Sequence, residues 1–450
     1  MADKCDPIRN RLQALEEALA DARREPGEKP APGINGLLVG IRRAKEELQV
    51  CVRRWTVTGA FFPAAHQIDA VVKTFMMNNN VRALSIAFAK AGALLGNRGY
   101  TWAEPDYRIT QPDTLFRVAS VSKLFTCAVI DRLTRTASLT EARPLTLGRA
   151  AFPFLGITAS RVSGKTPDPD INKITVNHLA IRRSGMPEGF GVDFGKGEYR
   201  EIANMLGIKT VPTVMQIAEF MFSQPLEHRP GEAGINDDGF YSNSAFGVLT
   251  AIAERAAAPR SFIQYLRDEL LAPLGISDVH VGGTRENQRR YNEVPTYDAE
   301  GTGPSNIDLS ANAVAPKAYG GAFQLETTPG IGGLVMSSGT VARFIGDQAV
   351  WDIGGRQPGL TRYGNLDGSG SIATSRGDGI DFAIVFNRNL DNTEFNSLAA
   401  QIHAILNRRG DGAFAFRYDS FISIAYSIVA LFQRAIKALF RNSFWNGPGR

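Results

Sequence analysis

The sequence predicts an α+β domain whose antiparallel sheet is assembled from strands near both ends of the chain, with helices between them. Alternating apolar segments, typical of half-buried strands, occur early at 83–90 and 94–102 and late at 333–337, 371–375 and 382–387. The long stretch between these two groups is rich in helix-like patterns and loops. We therefore expect a sheet flanked by helices together with an all-helical lobe.

Local spacing supports the individual elements in turn. An apolar pattern at 67–77 predicts a helix before the first strand, and Ala91-Gly92 predicts the turn between the first two strands. Gly377-Asp378-Gly379 predicts the turn between the last two strands. A closing helix is expected at 393–406.

Residues 1–57 are predicted to form a separate αα-hairpin. Apolar residues recur at steps of three and four from Ile8 to Ala22 and again from Ile34 to Trp55, with a proline-rich break between the two runs. Arms of nearly equal length bring Cys5 close to Cys51. A disulfide and two reduced thiols are both open outcomes, because cytosolic thiols usually stay reduced. We interpret the hairpin as a packing or oligomerisation appendage.

The main domain is expected over 58–410, and residues 411–450 are predicted to form a C-terminal extension. Within it, apolar side chains between Phe421 and Leu439 share one face of a helix at 419–441, and basic side chains lie on the other. Such a helix docks on its own domain or on a second subunit, and the alternative is association with a membrane surface. A homo-oligomer formed through the terminal helices is a further expectation.

The bulk composition excludes several classes of function. The chain has 450 residues, 44% of them hydrophobic, and a mild net charge of +5. No basic stripe with interleaved aromatic residues is present, so no nucleic-acid partner is expected. No apolar run is long enough for a transmembrane span, and no secretory signal peptide is seen. A cytoplasmic enzyme is the expectation, with a processed mature chain as the alternative.

Most familiar catalytic motifs are missing. The sequence contains no Gly-x-Ser-x-Gly elbow, no phosphate-binding Walker loop and no dinucleotide fingerprint. Its five histidines lack metal-ligand spacing, and three cysteines cannot form a disulfide framework. We therefore predict neither a metal nor a cofactor.

A serine and a lysine three residues apart offer a different chemistry. Ser120 and Lys123 share one face if this segment is helical, and at the start of the helix the dipole favours a developing alkoxide. A serine hydroxyl needs a base, and a lysine serves as one when burial lowers its pKa. By itself the pair favours a helix N-cap serine followed by an exposed lysine over a catalytic pair.

The third group that this chemistry needs is found at Tyr241-Ser242-Asn243. A tyrosine beside a lysine relays protons, and Asn243 can hydrogen-bond both Lys123 and a substrate carbonyl. Tyr363-Gly364-Asn365 has the same spacing. We favour Tyr241 because a proline-glycine turn precedes it and a helical pattern follows Asn243.

Together these segments resemble the family of class C β-lactamases, DD-peptidases and their esterase relatives. Phe116 to Lys123 is similar to the family's Phe-Arg-x-x-Ser-x-x-Lys motif, and 174–187 to its "ITVxHLLxHTSGLP" segment. Two structural landmarks of the family also match, at 273–276 and 332–335. The resemblance covers about residues 60–408. It implies Ser120 as the acylated nucleophile, Lys123 and Tyr241 as the proton-transfer pair, and Asn243 as a positioning group.

The third motif of that family, Lys-Thr-Gly or His-x-Gly, departs from the pattern. Aligning Leu366-Asp367-Gly368 with it leaves the cationic position without a cation. Gly368 would let substrate approach the strand. The N–H groups of Ser369 and Ser120 would form an oxyanion hole, in which each donor often contributes about 2.7–4 kcal/mol.

Without that cation an anionic substrate should bind poorly. We therefore predict a carboxylesterase or transesterase that acts on neutral esters or lactones. Arg362 or Arg376 could replace the cation, which keeps a β-lactamase or D-amino-acid peptidase, acting on an amide, as the alternative. A non-catalytic penicillin-binding-like module is a further alternative, although the set of Ser120, Lys123, Tyr241 and Asn243 speaks against it.

Overall fold

The computed structural model describes residues 4–24, 33–136, 144–192, 197–234, 239–348, 353 and 357–414. The helices are α1 (Asp6–Arg24), α2 (Ile34–Val52), α3 (Ala65–Asn78), α4 (Ser122–Thr136), α5 (Ala151–Leu155), α6 (Val176–Ala180), α7 (Glu198–Leu206), α8 (Val214–Met221), α9 (Asn243–Ala257), α10 (Phe262–Tyr265), α11 (Ser338–Asp347) and α12 (Asn392–Arg409). The strands are β1 (Arg54–Thr58), β2 (Ala83–Lys90), β3 (Ala93–Ala103), β4 (Phe116–Arg117), β5 (His280–Val281), β6 (Thr302–Pro304), β7 (Val314–Pro316), β8 (Leu334–Met336), β9 (Thr361–Leu366), β10 (Ser369–Thr374) and β11 (Ile380–Phe386).

A six-stranded antiparallel sheet in the order β1-β3-β2-β11-β10-β9 forms the centre of the fold. Its central pair joins β2 from the early part of the chain to β11 from the late part. The prediction of an α+β fold, with a sheet built from strands near both ends, is confirmed. The segment predicted as a strand at 333–337 contains β8, which instead belongs to a separate three-stranded sheet in the order β4-β8-β5.

The two faces of the central sheet differ in side-chain size because successive residues of a strand point to opposite faces. On β2, Leu84 and Phe88 face the core that also contains the inward side chains of α3 and α12. Ala83 and Ala87 point to the opposite face, where α11 crosses β2 and β11. Small side chains there let α11 and the helical region behind it approach the sheet closely.

The N-terminal helices α1 and α2 lie antiparallel, with a salt bridge of 2.8 Å between Lys45 and Glu16. The Cys5–Cys51 disulfide that the sequence left open is present. The predicted boundary at residue 57 is too late. The second helix ends before it, and Trp55, expected on its apolar face, lies in β1 opposite Trp102 of β3.

Several predictions fall beyond these elements. The amphipathic helix predicted at 419–441 lies outside the described residues, which end at Phe414. The ring centre of Phe414 lies 5.1 Å from that of Phe62. No helix in the described ranges is both long and apolar enough to span a membrane. The homo-oligomer and the cytoplasmic location stay predictions, and a disulfide is more typical of oxidising compartments.

Arg117 anchors the segment that leads from the small sheet towards Ser120. Its fully buried guanidinium lies 4.0 Å from the ring centre of Tyr297 and donates to the carbonyl oxygens of Ala318, at 2.6 Å, and Gly283, at 2.9 Å. The carbonyl of Arg117 accepts a hydrogen bond from the Ser369 hydroxyl of β10. The chain that precedes Ser120 is therefore held from both sides.

We expect Arg117→Leu to lower the free energy of unfolding by roughly 3 kcal/mol, since each buried carbonyl left unsatisfied costs about 1–3 kcal/mol. Urea unfolding of both proteins measures this. Arg132→Leu, at a half-exposed α4 position whose nearest carboxylate is 3.8 Å away, is the control and should change stability by less than about 1 kcal/mol. Equal stability losses in the two variants would contradict the anchoring role.

Candidate functional site

A cavity of about 660 Å³ lies between the helical region and β9, the strand at one edge of the sheet. Ser120, Tyr241 and Asn243 line it. Its apolar and aromatic walls come from Phe190, Tyr199, Phe323, Leu325 and Ile331. The cavity is thus a partly apolar cleft with a few convergent polar groups, which is typical of a small-molecule site.

Ser120 lies in a single 3₁₀ turn, Ala119–Val121, which runs directly into α4. The turn is fixed from below, because the hydroxyl of Ser371 on β10 donates to the carbonyl of Val118 at 2.6 Å. Ala119 has φ +48°, a left-handed conformation that is costly for a residue with a Cβ. Such conformations persist only where their surroundings hold them, and they cluster at functional sites.

Lys123 is fully buried one turn further along α4. Its Nζ donates to Ser120 Oγ at 3.0 Å and to the carbonyl of Ile331 at 2.7 Å. Burial lowers the pKa of Lys123, and the nearby Tyr241 hydroxyl opposes that shift. The alternative interpretation from the sequence, an exposed lysine after a helix cap, is wrong.

Tyr241 also contacts Ser120, and its ring centre lies 5.1 Å from Lys123 Nζ. Its hydroxyl oxygen lies 2.7 Å from Ser120 Oγ and donates to Asn243 Oδ1 at 3.2 Å. When the phenolic proton points to Asn243, the serine hydroxyl donates its hydrogen bond to the Tyr241 oxygen, while neutral Lys123, 3.0 Å from Ser120 Oγ, is the base within reach of the serine proton. The sequence predicted that Asn243 would contact Lys123, whereas the hydrogen bond found here joins it to Tyr241.

The tyrosine with the same spacing, Tyr363, occupies a different place. Its hydroxyl donates to Asn396 Oδ1 at 2.6 Å, and its ring packs against Phe395 of α12. The structure therefore brings Tyr241, and not Tyr363, to the hydroxyl of Ser120.

The structure does not bring Gly368 and Ser369 to the cavity. Gly368 belongs to the turn between β9 and β10, where an added Cβ would contact Tyr297. Ser369 is fully buried on β10 and donates to the carbonyl of Arg117, behind the Ser120 turn. The predicted substrate-binding role of these two residues is corrected accordingly, because β9 lies between them and the substrate space.

The strand that borders Ser120 is β9, four residues earlier in the sequence than our alignment had it. Thr361, Arg362 and Asn365 of β9 line the cavity. An ideal Cβ on Gly364 would lie 3.0 Å from the backbone nitrogen of Ser120 and would crowd the Val118 carbonyl. Only glycine lets this strand lie so close to the turn. Arg362-x-Gly364 thus has the cation-x-glycine spacing that the alignment lacked.

Of the two arginines considered as substitutes for the missing cation, only Arg362 reaches the site. Arg376 is buried elsewhere, where it bonds the carboxylate of Asp378 and lies 2.6 Å from Nδ1 of His403. The expectation that the cavity carries no cation in the third motif is therefore wrong.

Two further contributors were not predicted. The carbonyl of Ile331 belongs to a glycine-rich loop that closes over Lys123, and the hydroxyl of Thr126 donates to the neighbouring Gly330 carbonyl at 2.8 Å. The run of glycines at 330–333 was the available signal. Glu198, the first residue of α7, also lines the cavity and is only 9% exposed. Its burial arises from tertiary packing, which leaves no local sequence signal.

Burial raises the pKa of Glu198 to about 7, against a hydrogen bond from the Phe190 backbone N–H that lowers it. Within the described ranges, no group of three or more histidine, cysteine, aspartate or glutamate side chains is arranged to hold a metal ion.

Comparison with known proteins places this geometry in a family context. The Beta-lactamase family pattern matches residues 68–406. "Protein flp" of Staphylococcus aureus (strain MW2) is 23% identical over 239 residues, which are 53% of this chain and 42% of that protein. "Penicillin-binding protein 4*" of Bacillus subtilis (strain 168) is 23% identical over 46% of this chain and 39% of its own length. This chain thus matches about two-fifths of the length of these relatives.

Solved structures share the fold. D-amino acid amidase from Ochrobactrum anthropi SV3 has a TM-score of 0.52 at 17% identity and covers 77% of this chain and 100% of its own. EstCE1, a hydrolase with promiscuous acyltransferase activity, has a TM-score of 0.53 at 15% identity, covering 76% of this chain and 98% of its own. The Pseudomonas syringae β-lactamase/D-alanine carboxypeptidase has a TM-score of 0.52 at 17% identity, with coverage of 76% and 98%. The chain therefore belongs to the beta-lactamase family of serine hydrolases.

Proposed function

We propose that the protein is a carboxylesterase, or a transesterase, that works through an acyl-enzyme on Ser120. The observation that carries the proposal is the continuous hydrogen-bonded set Lys123 Nζ–Ser120 Oγ–Tyr241 Oη–Asn243, with the serine oxygen in the cavity. A nucleophile within reach of a base, which is itself oriented by a third group, has the arrangement that covalent catalysis requires.

In the first half-reaction Ser120 Oγ attacks the ester carbonyl carbon while its proton passes to the Tyr241 and Lys123 pair. The oxyanion accepts hydrogen bonds from the N–H of Ser120 and from a β9 N–H beside Gly364, the strand that approaches Ser120 most closely. The carbon–oxygen bond of the ester then breaks, and the alcohol leaves with the proton held by the pair.

In the second half-reaction a water, or in transesterification a second alcohol, attacks the acyl carbon. The same pair takes the proton of the nucleophile and returns one to Ser120 Oγ as the acid or new ester is released. A lysine with a lowered pKa suits this exchange, because a proton carrier works best when its pKa lies near the working pH.

Charge balance in the cavity supports neutral esters or lactones as substrates. The charged side chains of its described lining are two guanidiniums, Arg182 and Arg362, and two carboxyls, Glu188 and Glu198. When Glu198 is ionised, above its pKa of about 7, the lining offers no excess of positive charge to a carboxylate-bearing ligand, whereas an uncharged ester loses little hydration on entry.

A β-lactamase or D-amino-acid peptidase is the second candidate, and the position of Arg362 favours it. Arg362 belongs to β9 beside the Ser120 turn and lines the cavity, which makes it the candidate partner for the carboxylate of a β-lactam or a peptide. Hydrolysis of a chromogenic cephalosporin faster than that of p-nitrophenyl esters would put this candidate first.

We expect Ser120→Ala to abolish turnover of a short p-nitrophenyl ester and Tyr241→Phe to lower kcat by about 10²–10⁴-fold, because the relay loses its proton acceptor. Initial rates at saturating ester measure both effects. Tyr291→Phe, at a residue 92% exposed, is the control and should match the wild type. Ester turnover that survives Ser120→Ala would contradict the proposal.

The charge state of Lys123 yields a separate prediction. Arginine keeps a positive charge but does not deprotonate, so Lys123→Arg should reduce kcat/KM by at least about 10²-fold. In the wild type, kcat/KM should fall as the pH drops through the lowered pKa of Lys123, because the neutral amine is the active form. Lys165→Arg, at an exposed position, is the control. An unaltered pH–rate profile in Lys123→Arg would exclude lysine as the base.

Close approach of β9 to the nucleophile predicts that Gly364→Ala lowers kcat by about 10-fold or more, because an added methyl displaces the strand from the Ser120 turn. Gly377→Ala provides the control, since nothing lies within 4 Å of its added Cβ. Ester kinetics and thermal unfolding are measured on both variants. A folded Gly364→Ala enzyme with wild-type kcat would place the oxyanion site elsewhere.

A further inference from the structure

Glu198 is a buried carboxyl in the cavity that the proposed mechanism does not use. It is 9% exposed, it lines the same cavity as Ser120, and the described contact of its carboxyl is the backbone N–H of Phe190. A buried carboxylate is stable only when it is paired or hydrogen-bonded, and otherwise it takes up a proton. The charge of this wall of the cavity therefore depends on whether a positively charged group lies next to the Glu198 carboxyl.

The wall that carries Glu198 is connected to the candidate catalytic residues through the backbone. The N–H of Asn243 donates to the carbonyl of Glu188 at 2.7 Å, and Phe190, two residues later, donates to Glu198. Two residues of extended chain span at most about 7 Å. Glu198 and Asn243 therefore belong to one connected wall of the cavity that Ser120 also lines.

The position of Glu198 is also rigidly defined. The backbone N–H of the next residue, Tyr199, donates to Asn306 Oδ1 at 3.3 Å, which fixes the start of α7. The ring of Tyr199 packs edge-to-face on Phe190, with ring centres 6.2 Å apart. Both aromatic residues line the cavity together with Glu198, and the burial of the carboxyl strengthens any charge–charge contact that forms there.

We propose that Glu198 forms an acyl-side subsite that selects substrates carrying a protonated amine. The carboxylate pairs with the ammonium group while Ser120 attacks the ester carbonyl. The acyl side is assigned because a leaving group held by a buried ion pair would be released slowly after the first half-reaction. This inference rests on the proposed esterase activity and extends its substrate class from uncharged esters to esters that carry an ammonium group on the acyl side.

The pH dependence has a definite sign. Burial raises the pKa of Glu198 to about 7, so the carboxyl is increasingly ionised as the pH rises from 6 to 8.5. An alkyl ammonium, with an ordinary pKa of about 10.4, stays charged over that range. Other ionisable groups that face the cavity or lie beneath it are Arg182, Glu188, Arg362, Tyr199, Tyr241, Tyr363 and Lys123. The arginines keep their charge, and the remaining groups are all retained in Glu198→Gln, so any part of the pH dependence that they cause survives in that variant.

The test compares p-nitrophenyl 6-aminohexanoate with p-nitrophenyl heptanoate, which replaces the ammonium by a methyl group of similar size. The ratio of their kcat/KM values cancels the titration of the groups that both reactions share. In the wild type we expect this ratio, amine over alkyl, to rise about 10-fold between pH 6 and 8.5. In Glu198→Gln it should be low and independent of pH.

Glu201→Gln, in the same first turn of α7 but outside the cavity lining, is the matched control and should reproduce the wild-type ratio. A ratio in Glu198→Gln that still rises with pH, or a flat ratio in the wild type, would overturn the subsite while leaving the esterase intact. Failure to hydrolyse either ester through Ser120 would instead remove the proposed function itself. The two failures are therefore distinguishable.

Discussion

The site depends on the removal of one ammonium group from water. Lys123 is fully buried, and its Nζ donates hydrogen bonds to the hydroxyl of Ser120 and the carbonyl of Ile331. Such burial disfavours the charged form, and this is what turns an ordinary surface cation into a base. The glycine-rich loop makes the burial possible, because a Cβ on Gly330 would collide with the hydroxyls of Thr250 and Thr126.

The same constraint explains why the cavity lies where sheet and helical region meet. The helix that carries Lys123 packs against α9, whose first residue is Asn243, and the Ser120 turn lies against β9 and β10. Ser120, Lys123 and Tyr241 therefore each lie at or just before the start of a helix that another element holds in place. A displacement of the sheet relative to the helices would change all of these distances together.

Short motifs could be predicted from the sequence because local geometry determines them. Ser120 and Lys123 are one turn apart, and Asn243 follows Tyr241 at the start of a helix, so their spacing fixes their relation before any packing is known. The strand β9 was missed because Gly364 and Asn365 have low strand propensity, and its place at the sheet edge comes from pairing with β10. The placement of Gly368 and Ser369 in the site failed for that reason.

Charge environments could not be predicted either. Nothing around Glu198 in the sequence indicates burial, since a glutamate in the first turn of a helix is ordinarily an exposed partner of the helix dipole. Its burial arises where α7 meets the segment that carries Phe190, whose backbone N–H donates to the carboxyl and whose ring packs edge-to-face on that of Tyr199. In the same way, the sequence offered Arg362 and Arg376 equally as substitutes for the missing cation of the third motif. Only the fold distinguishes them, because Arg362 lines the cavity whereas Arg376 lies against His403 of α12.

The order of the strands has a practical consequence for handling this enzyme. The helical hairpin continues directly into β1 at one edge of the sheet, while Ser120 lies against β9 at the other edge. Five strand spacings separate the two edges, which corresponds to about 24 Å. A resin, dye or fusion partner attached at the hairpin is thus joined to the edge of the sheet opposite the cavity. The hairpin is therefore the preferred attachment point for immobilising the enzyme.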